Sequence, residues 1–352
     1  MNVRRLLAWA LAMMLVAACT GAPPATVSPS GTPVSTPATV STPATPSAAP
    51  PAPEPVTLRI AAVAPGAVSW TLYAAMNEAF FEREGITAQL DYTFSAAGVT
   101  QLLSAGEIEI GAVIPDNFIR AVETGADLVM VAGDQTMPTM SLFVEPDITS
   151  IEELRGRQIM IGGAEDPSLY MLRSMLRPNG LEDDDYELTF VGSTPDRLAA
   201  LQSGAVPATI LLQPFDFIAE NDGYRRLVSQ WDHPIAYQFI AVGVTRDWAE
   251  NNGDILVRYV RAYRDALRWL NDPANRDAAI QLLIEQAEVG EEEAEKTYDL
   301  YMDLGVLPAD ARITDENLGG VMAALQELDA LSDPPPPPSK YVDHQYLDAA
   351  GP

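Results

Sequence analysis

Between Leu58 and Val113 apolar strands alternate with amphipathic helices in the order β-α-β-α-β, and that order constrains the fold more than any other feature of the chain. The run LRIAAVA has strand length and gives way to a loop, Pro65 to Ser69. A helical segment follows, with Leu72, Met76, Ala79 and Phe80 on one face, and Gly85 stops it. Ile86 to Phe94 reads as the second strand, a short helix carrying Val99, Leu102 and Leu103 ends at Gly106, and Ile108 to Val113 is the third strand. Such a pattern predicts a parallel sheet with helices on its faces. Ligands of these sheets sit outside the carboxyl ends of the strands, here the loops Pro65 to Trp70, Phe94 to Ala97 and Ile114 to Asn117.

The start of the chain is not part of that fold. Arg4 and Arg5 precede the apolar run Leu6 to Ala18, too short for a membrane span and suited to a secretory signal peptide. The run ends in Val16-Ala17-Ala18-Cys19, which resembles a bacterial lipobox, and Cys19 is the only cysteine. Residues 1–18 are therefore expected to be a lipoprotein signal peptide, with Cys19 the lipidated residue and no disulfide anywhere. The segment 19–56 is rich in Ala, Pro, Ser and Thr; it buries nothing and reads as a disordered tether. Localisation outside the cytoplasm, anchored to the cell membrane by lipid, follows. About 297 residues remain, enough for two lobes. Removing Arg4 and Arg5 from the 21 basic residues leaves 19 against 49 acidic ones, a net charge of −30. A surface so acidic repels nucleic acid, and no nucleic-acid partner is expected.

Further strands are predicted at Asp127 to Gly133, Thr139 to Val144, Arg157 to Gly162, Glu187 to Val191 and Thr209 to Leu212, with a helix from Asp166 to Leu176. A short helix with Leu198 and Leu201 ends at Gly204. At an offset of 98 residues Leu103 falls on Leu201, Gly106 on Gly204 and Ile108 on Val206, so the chain contains two copies of one unit. Ile235 to Thr245 is an apolar return, and helices dominate afterwards. Leu256, Val260, Tyr263, Leu267 and Leu270 form a buried stripe in one of them.

The stretches VSWTLYAAMNEAFFEREGITAQL, QLLSAGEIEIGAV, SIEELRGRQIMIGG, the LAALQSG repeat and the closing KYVDHQYLDAA resemble the solute-binding proteins of bacterial ABC importers for sulfonates, nitrate, taurine and thiamine-pyrimidine precursors. The resemblance implies an α/β, two-lobed periplasmic-binding-protein-like fold of type II. Each lobe is a mostly parallel sheet with flanking helices, and two crossing segments form the hinge. Lobe 1 is expected at 57–137 and 240–352, lobe 2 at 138–239. It further implies a monomer that takes no cofactor, closes on one small solute and presents it to an ABC permease and its ATPase. Pro207 departs from the family pattern, which places an acid just after each glycine stop, as Glu109 does in the first copy.

Strand and helix ends nominate the ligand-binding residues: Ser69, Trp70, Ser95, Asp116, Asn117 and Gln135 from the first lobe and its crossing, then Gly163, Ser168, Tyr170, Gln213, Phe215 and Tyr237. No arginine or lysine occurs in these loops, and Asp166 before Pro167 looks like a helix cap that would occupy free N–H groups itself. Trp70, Tyr170, Phe215 and Tyr237, with Asp116, Asn117 and Gln213 to orient, suit a flat heteroaromatic nutrient: a thiamine-pyrimidine precursor or a riboflavin-like molecule. An alkanesulfonate, taurine or nitrate is the alternative ligand. A pyrimidine-synthase-like enzyme or a sensor domain is the alternative of another class. His233 and His344 are the only histidines, and no metal-ligand spacing or catalytic triad can be assembled around them.

Overall fold

The computed structural model describes residues 54–164 and 166–352; Cys19, the leader and most of the tether lie outside them. Along the chain come β1 (Val56–Ala62), α1 (Trp70–Asn77), α2 (Phe80–Arg83), β2 (Ile86–Tyr92), α3 (Ala96–Ser104), β3 (Ile110–Val113), α4 (Pro115–Glu123) and β4 (Leu128–Gly133). After a crossing follow β5 (Ser141–Val144), β6 (Gln158–Ile161), α5 (Ser168–Leu176), β7 (Glu187–Phe190), α6 (Thr194–Gln202), β8 (Ala208–Leu211), α7 (Phe215–Asn221) and β9 (Arg225–Ser229). The chain then returns as β10 (Ala241–Thr245) and ends in α8 (Arg246–Asn251), α9 (Gly253–Asn271), α10 (Arg276–Ala287), α11 (Glu291–Leu304), α12 (Asp315–Glu327) and α13 (Gln345–Ala349).

These strands make two five-stranded sheets of the same design, ordered β2-β1-β3-β10-β4 and β7-β6-β8-β5-β9. In the first, β1 pairs in parallel with β2 and β3, while β10 is antiparallel to both β3 and β4. In the second, β6 pairs in parallel with β7 and β8, while β5 is antiparallel to both β8 and β9. The antiparallel member of each sheet is thus the strand that enters it from a crossing. Both carry a register shift after their second residue, at Val242/Gly243 and at Leu142/Phe143. The result is the mostly parallel, two-lobed α/β fold that the sequence resemblance implies.

The internal repeat extends further than its glycines. Helices α3 and α6, strands β3 and β8, and the N-caps Ser95 and Ser193 are all 98 residues apart. Each cap hydroxyl accepts from the backbone N–H three residues on, that of Gly98 and that of Asp196. Gly106 and Gly204 both hold positive φ, 69° and 70°, a conformation that side chains disfavour. Strand β8 begins at Ala208, one residue beyond Pro207, as a proline without an N–H requires. Glu109 is spent on structure, paired with Arg59 at 2.6 Å.

Some elements differ from expectation. The first helix breaks at Ala79, whose φ of 58° separates α1 from α2. Asp116 and Asn117 lie not in a loop but in the first turn of α4, which starts with Pro115 at a position where a missing N–H does no harm. Phe215 likewise opens α7.

Helix α12 fastens the return crossing. Its Gly320 lies so close to Ala236 that an added Cβ would stand 1.6 Å from the carbonyl oxygen, whereas Gly319 faces open space. Leu318, Val321 and Leu325 of α12 join Tyr237 and Phe239 of the crossing in one apolar core. Gly320→Ala should therefore destabilise the protein by about 3 kcal/mol, and Gly319→Ala should be neutral or stabilise it by up to about 1 kcal/mol. Urea unfolding of the two variants beside the wild type checks this, and equal midpoints would contradict the packing.

Candidate functional site

A cavity of about 430 Å³ lies between the sheets, at the carboxyl ends of the parallel strands. Most of its wall is small or apolar, including Ala62, Ala64, Ala96, Ala97 and Ala112 on one side, with Val68, Ile114, Met140, Leu212 and Phe239. The polar remainder includes Ser69, Ser95, Asn117, Asp166, Ser193, Thr194 and Gln213. The lobes approach at two points beside it. A Cβ on Gly66 would lie 3.4 Å from the ring of Phe215, and one on Gly192 would lie 3.0 Å from the carbonyl oxygen of Phe94.

The crossings are pinned by buried amides. Gln135 donates through Nε2 to the carbonyl of Ala67 at 2.8 Å and accepts from the Tyr301 hydroxyl at 3.3 Å. Gln238 donates to the carbonyls of Gln135 and Ile240, at 3.1 and 2.8 Å. Gln213 donates to the carbonyl of Thr139 and to Asp216. These buried amide donors, bonded to main-chain carbonyls, fix where the chain leaves and re-enters each sheet.

Of the nominated residues, Ser69, Ser95, Asn117, Gly163, Gln213 and Phe215 line the cavity together. The other six do not. Trp70 is a core residue: its indole N–H donates to the carbonyl of Ala279 at 2.9 Å, and its ring meets Tyr298 and Tyr301 edge-on. From the first position of α1 its side chain enters the layer of C-terminal helices, which the first strands alone could not reveal. Tyr170 and Tyr237 stack on each other, centroids 6.1 Å apart, and Tyr237 is buried under α12. Asp116 is buried in the first turn of α4, Gln135 belongs to the crossing, and the Ser168 hydroxyl accepts from the backbone N–H of Gly162. Cys19 lies outside the described residues.

Two basic residues reach the cavity that a reading of the loops missed, Arg120 and Arg197. Both sit on helices, α4 and α6, and helical side chains lean back toward the N-terminus, over the very loops that contain no cation. Extending the 98-residue repeat back to Ser193 would have pointed to this helix start. Arg197 is almost fully buried. It donates from Nε to Ile210 O at 2.9 Å, from Nη1 to Val191 O and Gly192 O at 3.1 Å each, and from Nη2 to Thr194 Oγ1 at 2.9 Å. No carboxylate pairs with it among the described residues. Burial pulls its pKa down to about 10.

The neighbouring acids respond to burial in the opposite sense. Asp116 is pushed up to about 8 by desolvation and by the charge of Asp166, with Arg120 at 3.8 Å opposing. Desolvation also raises Asp216 to about 7 and Asp134 to about 6, the latter despite a hydrogen bond from Tyr263. A carboxyl whose pKa is raised by folding contributes stability that is full below pH about 4 and is lost as pH rises through its folded pKa. The ligand-free protein should therefore unfold at lower temperature at pH 8.5 than at pH 5, and the isosteric, neutral Asp116→Asn should flatten the upper part of that fall. Calorimetry across the range tests this; an unchanged profile in the variant would contradict it.

Among the described residues no group of three His, Cys, Asp or Glu side chains could hold a metal, and no helix is long and apolar enough to cross a membrane. His344 accepts from the backbone N–H of Ile313, away from the cavity.

The family model described as NMT1/THI5 like matches residues 67–275. The riboflavin-binding protein RibY of Chloroflexus aurantiacus is 25% identical over 311 residues, covering 83% of this chain and 81% of that protein. In fold, the chain is similar to the ligand-binding component of an ABC-type import system from Staphylococcus aureus, with a TM-score of 0.71, 12% identity and coverage of 84% and 99% of the two chains. It is similar also to the alkanesulfonate-binding protein SsuA from Xanthomonas axonopodis pv. citri, with a TM-score of 0.65, 19% identity and coverage of 79% and 94%.

Proposed function

The chain belongs to the NMT1/THI5-like family, and from that premise we propose that it is the solute-binding lipoprotein of an ABC importer, capturing a small heteroaromatic nutrient of thiamine-pyrimidine or riboflavin type. The lobes close about the two crossings, and contacts made to both at once favour the closed state over the open one. A permease with its ATPase then takes the solute, while Cys19 and the proline-rich tether hold the protein at the membrane. The protein acts as a monomer and performs no chemistry on the solute.

The observation that carries this reading is the cavity itself: about 430 Å³, walled by alanines and larger apolar side chains with a few polar groups between them. That is the size and character of a site for a whole vitamin-sized molecule rather than for an ion such as nitrate. The riboflavin-binding relative supports the same ligand class. Phe215 remains as a nominated aromatic on the wall, so stacking rests on it rather than on Trp70, Tyr170 and Tyr237. A sulfonate is the second reading, because Arg120 and Arg197 supply the cations that the loops lack.

A thermal-shift screen against riboflavin, thiamine precursors, taurine, alkanesulfonates and nitrate separates the two; stabilisation by a heterocycle is expected, and stabilisation by sulfonates alone would reject it. Closure has its own test. Gly192→Val should weaken binding of the hit at least about tenfold by calorimetry, because an added Cβ would stand 3.0 Å from the Phe94 carbonyl oxygen of the other lobe, at the edge of the cavity. The unfolding temperature of the ligand-free variant should stay near that of the wild type; unaltered affinity would speak against closure.

A further inference from the structure

We propose that Asp166 and Arg197 together read one edge of the ligand and restrict it to heterocycles that carry a hydrogen-bond acceptor beside an N–H donor, such as a lactam, an imide or an aminopyrimidine. The inference rests on the heteroaromatic reading above and deepens it. Both side chains belong to the second lobe and line the cavity, Asp166 just beyond β6 and Arg197 in α6, beyond the adjacent β7.

Their chemistry is opposite and fixed. A guanidinium only donates, and an ionised carboxylate only accepts. Four of the five N–H donors of Arg197 are held by three carbonyls and Thr194, which sets its plane and leaves one. One oxygen of Asp166, Oδ1, accepts from the backbone N–H of Ser168 at 2.8 Å, and the other is bonded to nothing among the described residues. The carboxylate lies over Gly162, where a Cβ would stand 2.7 Å from Oδ1, so only glycine leaves room for it there.

The two groups form no ion pair although they share a wall. Opposite charges left unpaired in a largely apolar cavity are unfavourable, and a ligand edge with an acceptor next to an N–H relieves both at once. A sulfonate or nitrate offers acceptors alone. It gains Arg197 and is opposed by Asp166. This sets the two cations of the cavity against its accessible acid and favours the heterocycle.

The experiment is isothermal calorimetry on the full mature chain with riboflavin, 3-methylriboflavin, 4-amino-5-hydroxymethyl-2-methylpyrimidine and methanesulfonate, using wild type, Asp166→Asn and Arg197→Lys. Asparagine keeps the capping acceptor while removing the charge, so the fold is retained. Expected are a loss of about tenfold or more for the bound heterocycle in each variant, and no loss for methanesulfonate in Asp166→Asn. If riboflavin is the ligand, methylation of its N–H should weaken wild type about tenfold and Asp166→Asn much less, since the partner is already gone. Should Arg197→Lys fail to fold, Asp166→Asn decides alone. Wild type that binds a heterocycle with the same affinity as Asp166→Asn overturns the edge reader and leaves the functional reading standing. Wild type that binds neither riboflavin nor the aminopyrimidine overturns both.

Discussion

Each sheet takes its antiparallel strand from the crossing that enters it, and the two-lobed arrangement depends on that ladder. β10 hydrogen-bonds on both sides, to β3 and to β4, as β5 does to β8 and β9. An interior strand cannot be withdrawn without breaking two rows of hydrogen bonds. The crossings are therefore held firmly at their ends, which leaves the segments between β4 and β5 and between β9 and β10 as the links from sheet to sheet. Gln135 and Gln238, buried and bonded to main-chain carbonyls, tie these links down as well.

What the hinge encloses follows from the same geometry. Parallel strands point their carboxyl ends, and the helix starts that follow them, into the gap from both sides. The caps Ser95 and Ser193 are equivalent residues of the two copies, and both face one cavity. Small alanines at the strand ends and at the start of α3 leave room for the slot between a few polar and charged groups. The acidic surface, with a net charge of −28 over the whole chain, makes Arg120 and Arg197 stand out as cations turned inward.

The sheets, their parallel character and the two-copy design were legible because strand-length apolar runs and glycine stops are local signals. α3 and β3 recur as α6 and β8 at the offset read from Leu103, Gly106 and Ile108. The candidate site was legible in part. Ser69, Ser95, Asn117, Gly163, Gln213 and Phe215 line the candidate cavity because strand ends locate it. Trp70 and Tyr237 lie away from that cavity because helices more than eighty residues later in the chain, α10 to α12, cover them, and no local pattern reports such packing. Arg120 and Arg197 were missed because a helical side chain reaches back over the loop before it. A search confined to loops cannot see that.

The central claim is that a solute held between the sheets draws the lobes together. Small-angle X-ray scattering of the mature chain, with and without a saturating heterocycle shown to bind by calorimetry, measures it directly. A smaller radius of gyration with ligand is predicted, and an identical value in the two samples would contradict the account.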